Sequence, residues 1–389
     1  MTIVIENVRP WGRAPADILI DGDQITGVVP QGTGSAAERI DGRGLLALPG
    51  LINTHAHIDK SWWGMPWVPY GGETTTQGRI AHERAEREKY SIPNADATTG
   101  VLREFLRLGT TRVRTHVDVD LGVGLRGIEA VRDAAARLGG AVEAEIVAFP
   151  QDGVMRRPGV LELLDEAAAA GASHIGGLDP AAIDRDPLGQ LDGLFRIAAE
   201  RDCGIDIHLH DGGTLGRFEY ELIVERTREY AREGRVNVSH GFALSAIPLD
   251  LVDELAELGI SWTTVAPVRS APLPLDRIRE NGLRIGLGTD GIRDLWSPYG
   301  DGDILGVANT FAQLHGLRRD DDLHYAVELA TSRAAGFVGA DAHDIVTGAR
   351  ADIVLLDAQN AQDALMRSPR RELVIAGGEV VVASGEVLV

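Results

Sequence analysis

Eight apolar, β-branched runs recur along the middle of the chain, and their spacing is the strongest constraint on its fold. They are Leu46-Ala-Leu-Pro-Gly-Leu-Ile, Thr111-Arg-Val-Arg-Thr, Ala144-Glu-Ile-Val-Ala-Phe, Ser173-His-Ile-Gly-Gly, Gly204-Ile-Asp-Ile, Val236-Asn-Val-Ser, Ile260-Ser-Trp-Thr-Thr-Val and Leu283-Arg-Ile-Gly-Leu. From the second onward they begin roughly 25 to 30 residues apart, the size of a strand with its return helix. Helical patterns fill the gaps, as in Gly159-Val-Leu-Glu-Leu-Leu-Asp-Glu and Leu249-Asp-Leu-Val-Asp-Glu-Leu. Eight such repeats predict an α/β chain with a (β/α)8 TIM barrel over residues 49–342. A doubly wound open sheet is the alternative, although it more often uses fewer strands.

Both ends of the chain read differently. Thr2-Ile-Val-Ile-Glu-Asn-Val, Ala16-Asp-Ile-Leu-Ile and Ile25-Thr-Gly-Val-Val are short strand patterns, the last two separated by the turn Asp21-Gly-Asp-Gln. Ala351-Asp-Ile-Val-Leu-Leu, Glu372-Leu-Val-Ile-Ala and Glu379-Val-Val-Val repeat the pattern at the other end. One small β domain built from residues 1–48 and 343–389 follows. The formal net charge of −20 argues against nucleic-acid and anionic-membrane partners. A single cysteine, Cys203, excludes a disulfide framework within the chain. The first residues lack a signal-peptide pattern, and no window approaches the ~18 apolar residues of a membrane helix. A cytoplasmic protein is expected.

Chemistry collects where the apolar runs end, which in a barrel is the catalytic face. Run one leads into His55-Ala-His57-Ile-Asp59-Lys60, run two into His116-Val-Asp118, and run three into Gln151. Run five ends in His208-Leu-His210-Asp211, run six in His240, and run eight in Asp290. His55 and His57, two apart on a strand, project from one face. Alone, such a pair is more often structural or on the surface than metal-binding. A barrel interior is normally Val, Ile or Leu, however, and buried imidazoles or carboxylates there need a partner. His55, His57, His208 and Asp290 together therefore read as ligands of one divalent ion, zinc first, with iron or manganese accepted by the same donors. An open position would remain for water, and His240 could stabilise the attacked oxygen or shuttle a proton. His116 and Asp118 read as residues lining or backing the site. Trp62, with Trp63, Trp67 and Tyr70, forms either a stacking lid for a planar ring or ordinary loop packing.

The motif Pro49-Gly-Leu-Ile-Asn-Thr-His-Ala-His, with His208, His240 and Asp290, resembles the amidohydrolase superfamily. Val113-Arg-Thr-His-Val-Asp-Val-Asp, Ile146-Val-Ala-Phe-Pro-Gln-Asp-Gly and Asp294-Leu-Trp-Ser-Pro are similar to its bacterial cytosine deaminase branch. His57-Ile-Asp-Lys-Ser, Ile207-His-Leu-His-Asp-Gly-Gly and Ile292-Arg-Asp-Leu-Trp-Ser-Pro-Tyr resemble a triazine-degrading group within that branch. The resemblance implies a composite β-sandwich from the two termini and a mononuclear metal. It implies that Asp290 also accepts the water proton and that His240 polarises water or oxyanion. Gln151 would hold the amide edge of the substrate ring, and Asp211 or His210 would deliver a proton. Lys60, His116, Asp118, Trp296 and Trp62 join Gln151 as expected substrate contacts. Homo-oligomers are common in the family.

Two departures bear on substrate. The cytosine deaminase pattern has Glu where Asp211 stands, and a second Asp where Gly291 follows the strand-eight ligand. Both point away from cytosine, towards hydrolysis of an exocyclic C–N bond on an amino- or alkylamino-substituted pyrimidine or s-triazine. Cytosine or isocytosine deamination, cyclic-amide hydrolysis and an inactive barrel scaffold stand as alternatives. Gly286-Leu-Gly288-Thr-Asp-Gly291 matches a dinucleotide fingerprint only formally, since no helical pattern follows at once. The stretch His82-Glu-Arg-Ala-Glu-Arg-Glu-Lys reads as a solvated helix face.

Overall fold

A computed structural model of the chain describes residues 2–268 and 270–389. A parallel sheet occupies the middle of the chain. Its strands are strand one (Leu51–His57), two (Thr110–Asp118), three (Glu143–Phe149), four (His174–Leu178), five (Gly204–Leu209), six (Val236–His240) and seven (Ser261–Thr264). The last run contributes two segments, Ile285–Leu287 and Asp290–Gly291. Ile285–Leu287 pairs with strand seven, whereas Asp290–Gly291 pairs with strand one. The sheet therefore curls until its last run meets its first. The two segments part at Gly288, where a Cβ would stand 2.3 Å from His55 Cβ and 2.5 Å from its carbonyl oxygen. Only glycine lets the strand pass that close.

Helices return the chain between strands. Ala95–Arg107 is capped by Asn94, whose side chain accepts from the N–H groups of Asp96 and Ala97. Its buried Val101, Leu102, Phe105 and Leu106 recur at helical spacing and pack on the sheet. Pro187–Arg201 is capped by Asp186 in the same way.

The first apolar run divides between two sheets. Leu46–Pro49 is a strand of a second sheet, and only from Leu51 does the chain enter the parallel one. Leu46–Pro49 pairs parallel with Thr2–Pro10 on one side and antiparallel with Ile353–Leu356 on the other. It thus joins the strands of both termini. Ile5, Ile18, Ile20, Ile353 and Ile375 form a separate apolar cluster there. The C-terminal region is not all strand: Asn360 caps a short helix, Ala361–Arg367, between two of its strands.

The charged stretch at residues 82–89 is not a wholly solvated face. It lies in the helix Thr76–Glu86 and the turn Arg87–Tyr90, and Glu83 and Arg87 are only 2% and 5% exposed. Arg87 holds Asp120 through two hydrogen bonds of 2.5 and 2.9 Å. Glu83 turns towards Lys60. No helix among the described residues is long and apolar enough to cross a membrane.

Candidate metal centre and active site

Four groups from three places in the sheet converge at its C-terminal end. The Nε2 atoms of His57 and His208 lie 3.2 Å apart. Asp290 Oδ1 lies 3.5 Å from His57 Nε2 and 3.6 Å from His55 Nε2. Donors about 2.0–2.1 Å from one tetrahedral zinc stand roughly 3.3 Å from each other, and His55, His57 and Asp290 form one group close enough to hold a metal ion, as do His55, His208 and His240. His55, His57 and His208 are buried, while the Asp290 side chain is 41% exposed to the cavity above.

The tautomer of His55 is set from beneath. Its Nδ1 lies 2.9 Å from Ser239 Oγ, and that hydroxyl donates to Asp206 Oδ1 at 2.7 Å. Ser239 therefore accepts from Nδ1–H, leaving a lone pair on Nε2. That Nε2 is buried without a hydrogen-bond partner, as is Nδ1 of His57 and of His208. Burial, reinforced by neighbouring positive groups, holds His57 and His208 well below the usual imidazole range. Burial pushes the Asp290 carboxyl up, but His55, His240 and His57 hold it well below the usual carboxylate range. Neutral imidazoles, an ionised carboxylate and an orphaned, pre-aimed nitrogen fit a divalent cation.

His240 and Asp290 both sit at positive φ, 65° and 62°, a region unfavourable for side-chain-bearing residues. The His240 ring stacks on His210 at 4.5 Å between centroids. His210 is anchored by Asp179, which accepts from its backbone N–H at 2.6 Å and lies 2.9 Å from its Nδ1. Burial lowers the His210 imidazole, yet Asp179 more than compensates and its pKa is raised.

A cavity of about 360 Å³ opens over these groups, with Lys60, Gln151, His210, His240, Asp290 and Trp296 in its walls. Lys60 Nζ donates to Gln151 Oε1 at 2.6 Å and to Asp118 Oδ1 at 3.3 Å, with Glu83 Oε2 at 3.8 Å. Burial works against the ammonium, but Asp118, Glu83 and Asp294 keep it charged. With Gln151 Oε1 engaged, its amide N–H₂ remains as the donor. Trp296 Nε1 donates to Glu83, and Lys60 Nζ lies 5.4 Å from the indole centroid.

Several expected contacts stand elsewhere. Asp118 backs Lys60 and is absent from the cavity wall. His116 lies beneath, fully buried, its ring 4.1 Å from His55 and both nitrogens unpartnered. Asp211 turns away, accepting from Ala182 N–H at 3.3 Å and facing the buried Glu219. Trp62 is only 3% exposed, packs with Val68, Ile92 and Leu295, and donates to the Asp294 carbonyl. It belongs to the packing of its loop; Trp296 is the aromatic residue that reaches the cavity.

Two carboxylates, Glu83 behind the cavity wall and Asp294 in it, had weaker sequence signals. Glu83 shares a helical face with Ile80 and Arg87, and that spacing around an apolar residue is the available clue. Asp294 Oδ1 accepts from the N–H groups of Trp296 and Ser297 at 2.7 and 2.8 Å, an Asx-turn pattern. Its Oδ2 lies 1.8 Å from where a Cβ on Gly291 would stand. The missing side chain at 291 thus makes room for another carboxylate, which burial pushes up to about 6.

This chain belongs to the amidohydrolase family, whose profile matches residues 93–387. It is a hydrolase of carbon–nitrogen bonds other than peptide bonds, in a family whose members are TIM-barrel proteins that typically bind a metal. N-isopropylammelide isopropyl amidohydrolase of Pseudomonas sp. (strain ADP) is 31% identical over 382 residues, 94% of this chain and 93% of that protein. The crystal structure of N-isopropylammelide isopropylaminohydrolase from Burkholderia multivorans ATCC 17616 is 41% identical, with a TM-score of 0.94 over 100% of both chains. The fold is shared with 5-methylcytosine deaminase from Klebsiella pneumoniae liganded with 5-fluorocytosine, at 23% identity and a TM-score of 0.81 over 98% and 97%.

Proposed function

We propose that this chain is a mononuclear metal-dependent aminohydrolase that removes an exocyclic amino or alkylamino group from a pyrimidine or s-triazine. N-isopropylammelide-like compounds are the first candidates. The observation that carries this reading is the set of facing Nε2 atoms of His57 and His208, with the unpartnered His55 Nε2 and Asp290, beneath a cavity walled by Gln151 and Trp296. The curled sheet is read as a closed (β/α)8 barrel over residues 49–342, with a composite β-sandwich domain over 1–48 and 343–389. Cytoplasmic location and homo-oligomeric assembly belong to the same proposal.

His55, His57, His208 and Asp290 would hold one divalent ion, zinc first, which supplies hydroxide at neutral pH by lowering the pKa of water to about 7. The Asp290 carboxylate would accept a proton from the attacking water. His240 would hydrogen-bond the attacking oxygen as the ring carbon becomes tetrahedral, while negative charge passes to the adjacent ring nitrogen, which takes up the proton held by Asp290. His210, held by Asp179, passes a proton to the leaving nitrogen. The C–O bond forms, the C–N bond breaks, and amine or ammonia leaves behind a ring carbonyl. The Gln151 amide donates to a ring carbonyl or ring nitrogen, and Trp296 offers a flat apolar face. Asp211 has no part in this scheme, because its carboxylate is turned to Ala182 and Glu219.

Release of ammonia or alkylamine by zinc- and iron-reconstituted protein tests the reading, with cytosine, isocytosine, ammelide and N-alkyl ammelides as substrates. Turnover of an N-alkyl triazine without cytosine supports it. Cytosine turnover would move the protein to the deaminases proper. Silence across the panel with metal bound would sink the ring-substrate assignment.

A further inference from the structure

A second cavity, about 400 Å³, lies at the opposite end of the parallel sheet, where the strands begin. His174 and Gly204 open strands four and five there, and Arg284 immediately precedes Ile285–Leu287. Barrel ends of this kind ordinarily serve stability rather than ligands. This one is polar, and its cations outnumber its carboxylates. Arg114 is matched by Glu145 at 3.0 Å and Asp206 at 3.3 Å, and Arg235 by Asp202 at 2.8 Å. Arg284 has no carboxylate partner among the described residues. Its Nη2 donates only to the backbone carbonyls of Gly259 at 2.8 Å and Gly234 at 3.4 Å.

An unmatched guanidinium is notable in a chain of net charge −20. Burial, and then Arg114, hold it below the ordinary arginine value, so positive charge accumulates here against its own repulsion. His174 adds a second unsatisfied group: its Nδ1 is buried without a hydrogen-bond partner, and Glu145 Oε2 is 4.0 Å away. Small residues keep the space open. A Cβ at Gly204 would stand 2.2 Å from the His174 ring, and one at Gly336 would stand 3.1 Å from Arg284 Nη1.

We propose that this cavity is a second ligand site, separate from the substrate cavity, that binds a small oxyanion of phosphate size between Arg284 and His174. The Arg284 guanidinium has only N–H donors, which match oxygen acceptors and repel metal cations, and a neutral imidazole can turn its own N–H to the same ligand. An oxyanion there neutralises Arg284 and completes the hydrogen bonding of His174.

Calorimetric titration of inorganic phosphate into the metal-loaded full-length protein tests this site. The expected result is one phosphate per chain, bound at least tenfold more weakly by Arg284→Gln and by Gly336→Val. The first variant removes the unmatched charge; the second keeps it and fills the space. Thermal unfolding identifies a variant that has failed to fold, and the other then decides. Absence of phosphate binding to the wild type overturns the proposal. So does equal binding by wild type and both variants, which would place the anion at the metal face instead.

Discussion

Two buried polar sites in this molecule treat their hydrogen bonds in opposite ways. In the sheet formed by the two termini, Asp17 is fully buried and fully served. Its Oδ1 accepts from Asn7 N–H at 3.0 Å, and its Oδ2 from Gly32 and Gly34 at 2.8 and 3.1 Å. At the catalytic end of the parallel sheet, His55 keeps a buried Nε2 with no partner, and the Nε2 atoms of His57 and His208 face only each other at 3.2 Å. An unsatisfied buried polar atom costs about 1–3 kcal/mol. The terminal sheet is therefore complete as folded, whereas the histidine cluster is built to be completed by something that arrives later.

The sharpest way to break this contrast is His208→Ala. It should abolish stoichiometric metal, measured by mass spectrometry of the purified protein, and lower C–N hydrolysis at least roughly a thousandfold. Retention of metal and turnover would show that the cluster is structural. Removing the metal from the wild type comes next. A ligand present at 1,000 times its dissociation constant stabilises the folded state by about 4 kcal/mol, so chelation should lower the melting temperature, and restoring zinc should recover it. An unchanged melting curve would mean that the histidines gain nothing from the ion.

Asp17→Ala should do the reverse. Losing the acceptor for three backbone N–H groups should destabilise the fold by roughly 2–4 kcal/mol, while bound metal per folded chain stays the same. Loss of metal from the folded variant would join two regions that the structure keeps apart.

The smallest effect concerns Glu219, which lies between the two extremes. Burial, with Asp211 and Asp179 nearby, pushes its carboxyl up to about 8 although the Ala181 N–H opposes the shift. The folded chain keeps this proton after the unfolded chain has released it near pH 4.5. The group's stabilising contribution is therefore full below about pH 4.5 and fades as pH rises to about 8. Glu219→Gln should remove that dependence, making the fall in stability between pH 6 and 9 smaller than in the wild type by roughly 1–3 kcal/mol. Parallel pH profiles of melting temperature would contradict the assignment.

The sequence carried the alternation of strand and helix and the position of His55, His57, His208 and His240 at strand ends, because both are properties of single elements. It was less informative where one element meets another. Leu46 to Ile52 looks like one strand, yet Gly50 divides it between two sheets; a Cβ there would stand 2.4 Å from Thr111 Oγ1. Glu83 looks solvent-facing by charge alone, and only its approach to Lys60, 23 residues earlier, brings it inside. Trp62 and Trp296 are equally plausible as ring-stacking residues on composition. Which of them faces the cavity depends on how the loop after strand one packs against Leu295. Gly291 reads as a lost carboxylate, whereas in space Asp294 fills the room it leaves.

Asp206 receives the Ser239 hydroxyl on one oxygen and the Arg114 guanidinium on the other. Ser239 in turn fixes the ring of His55. A replacement chosen only to make the sheet interior greasier, such as Asp206→Leu, would leave Arg114 with Glu145 alone and free the imidazole to turn over. Consensus-style stabilisation of this protein should therefore be screened by metal retention as well as by melting temperature, since a more robust fold can emerge whose histidines no longer hold an ion.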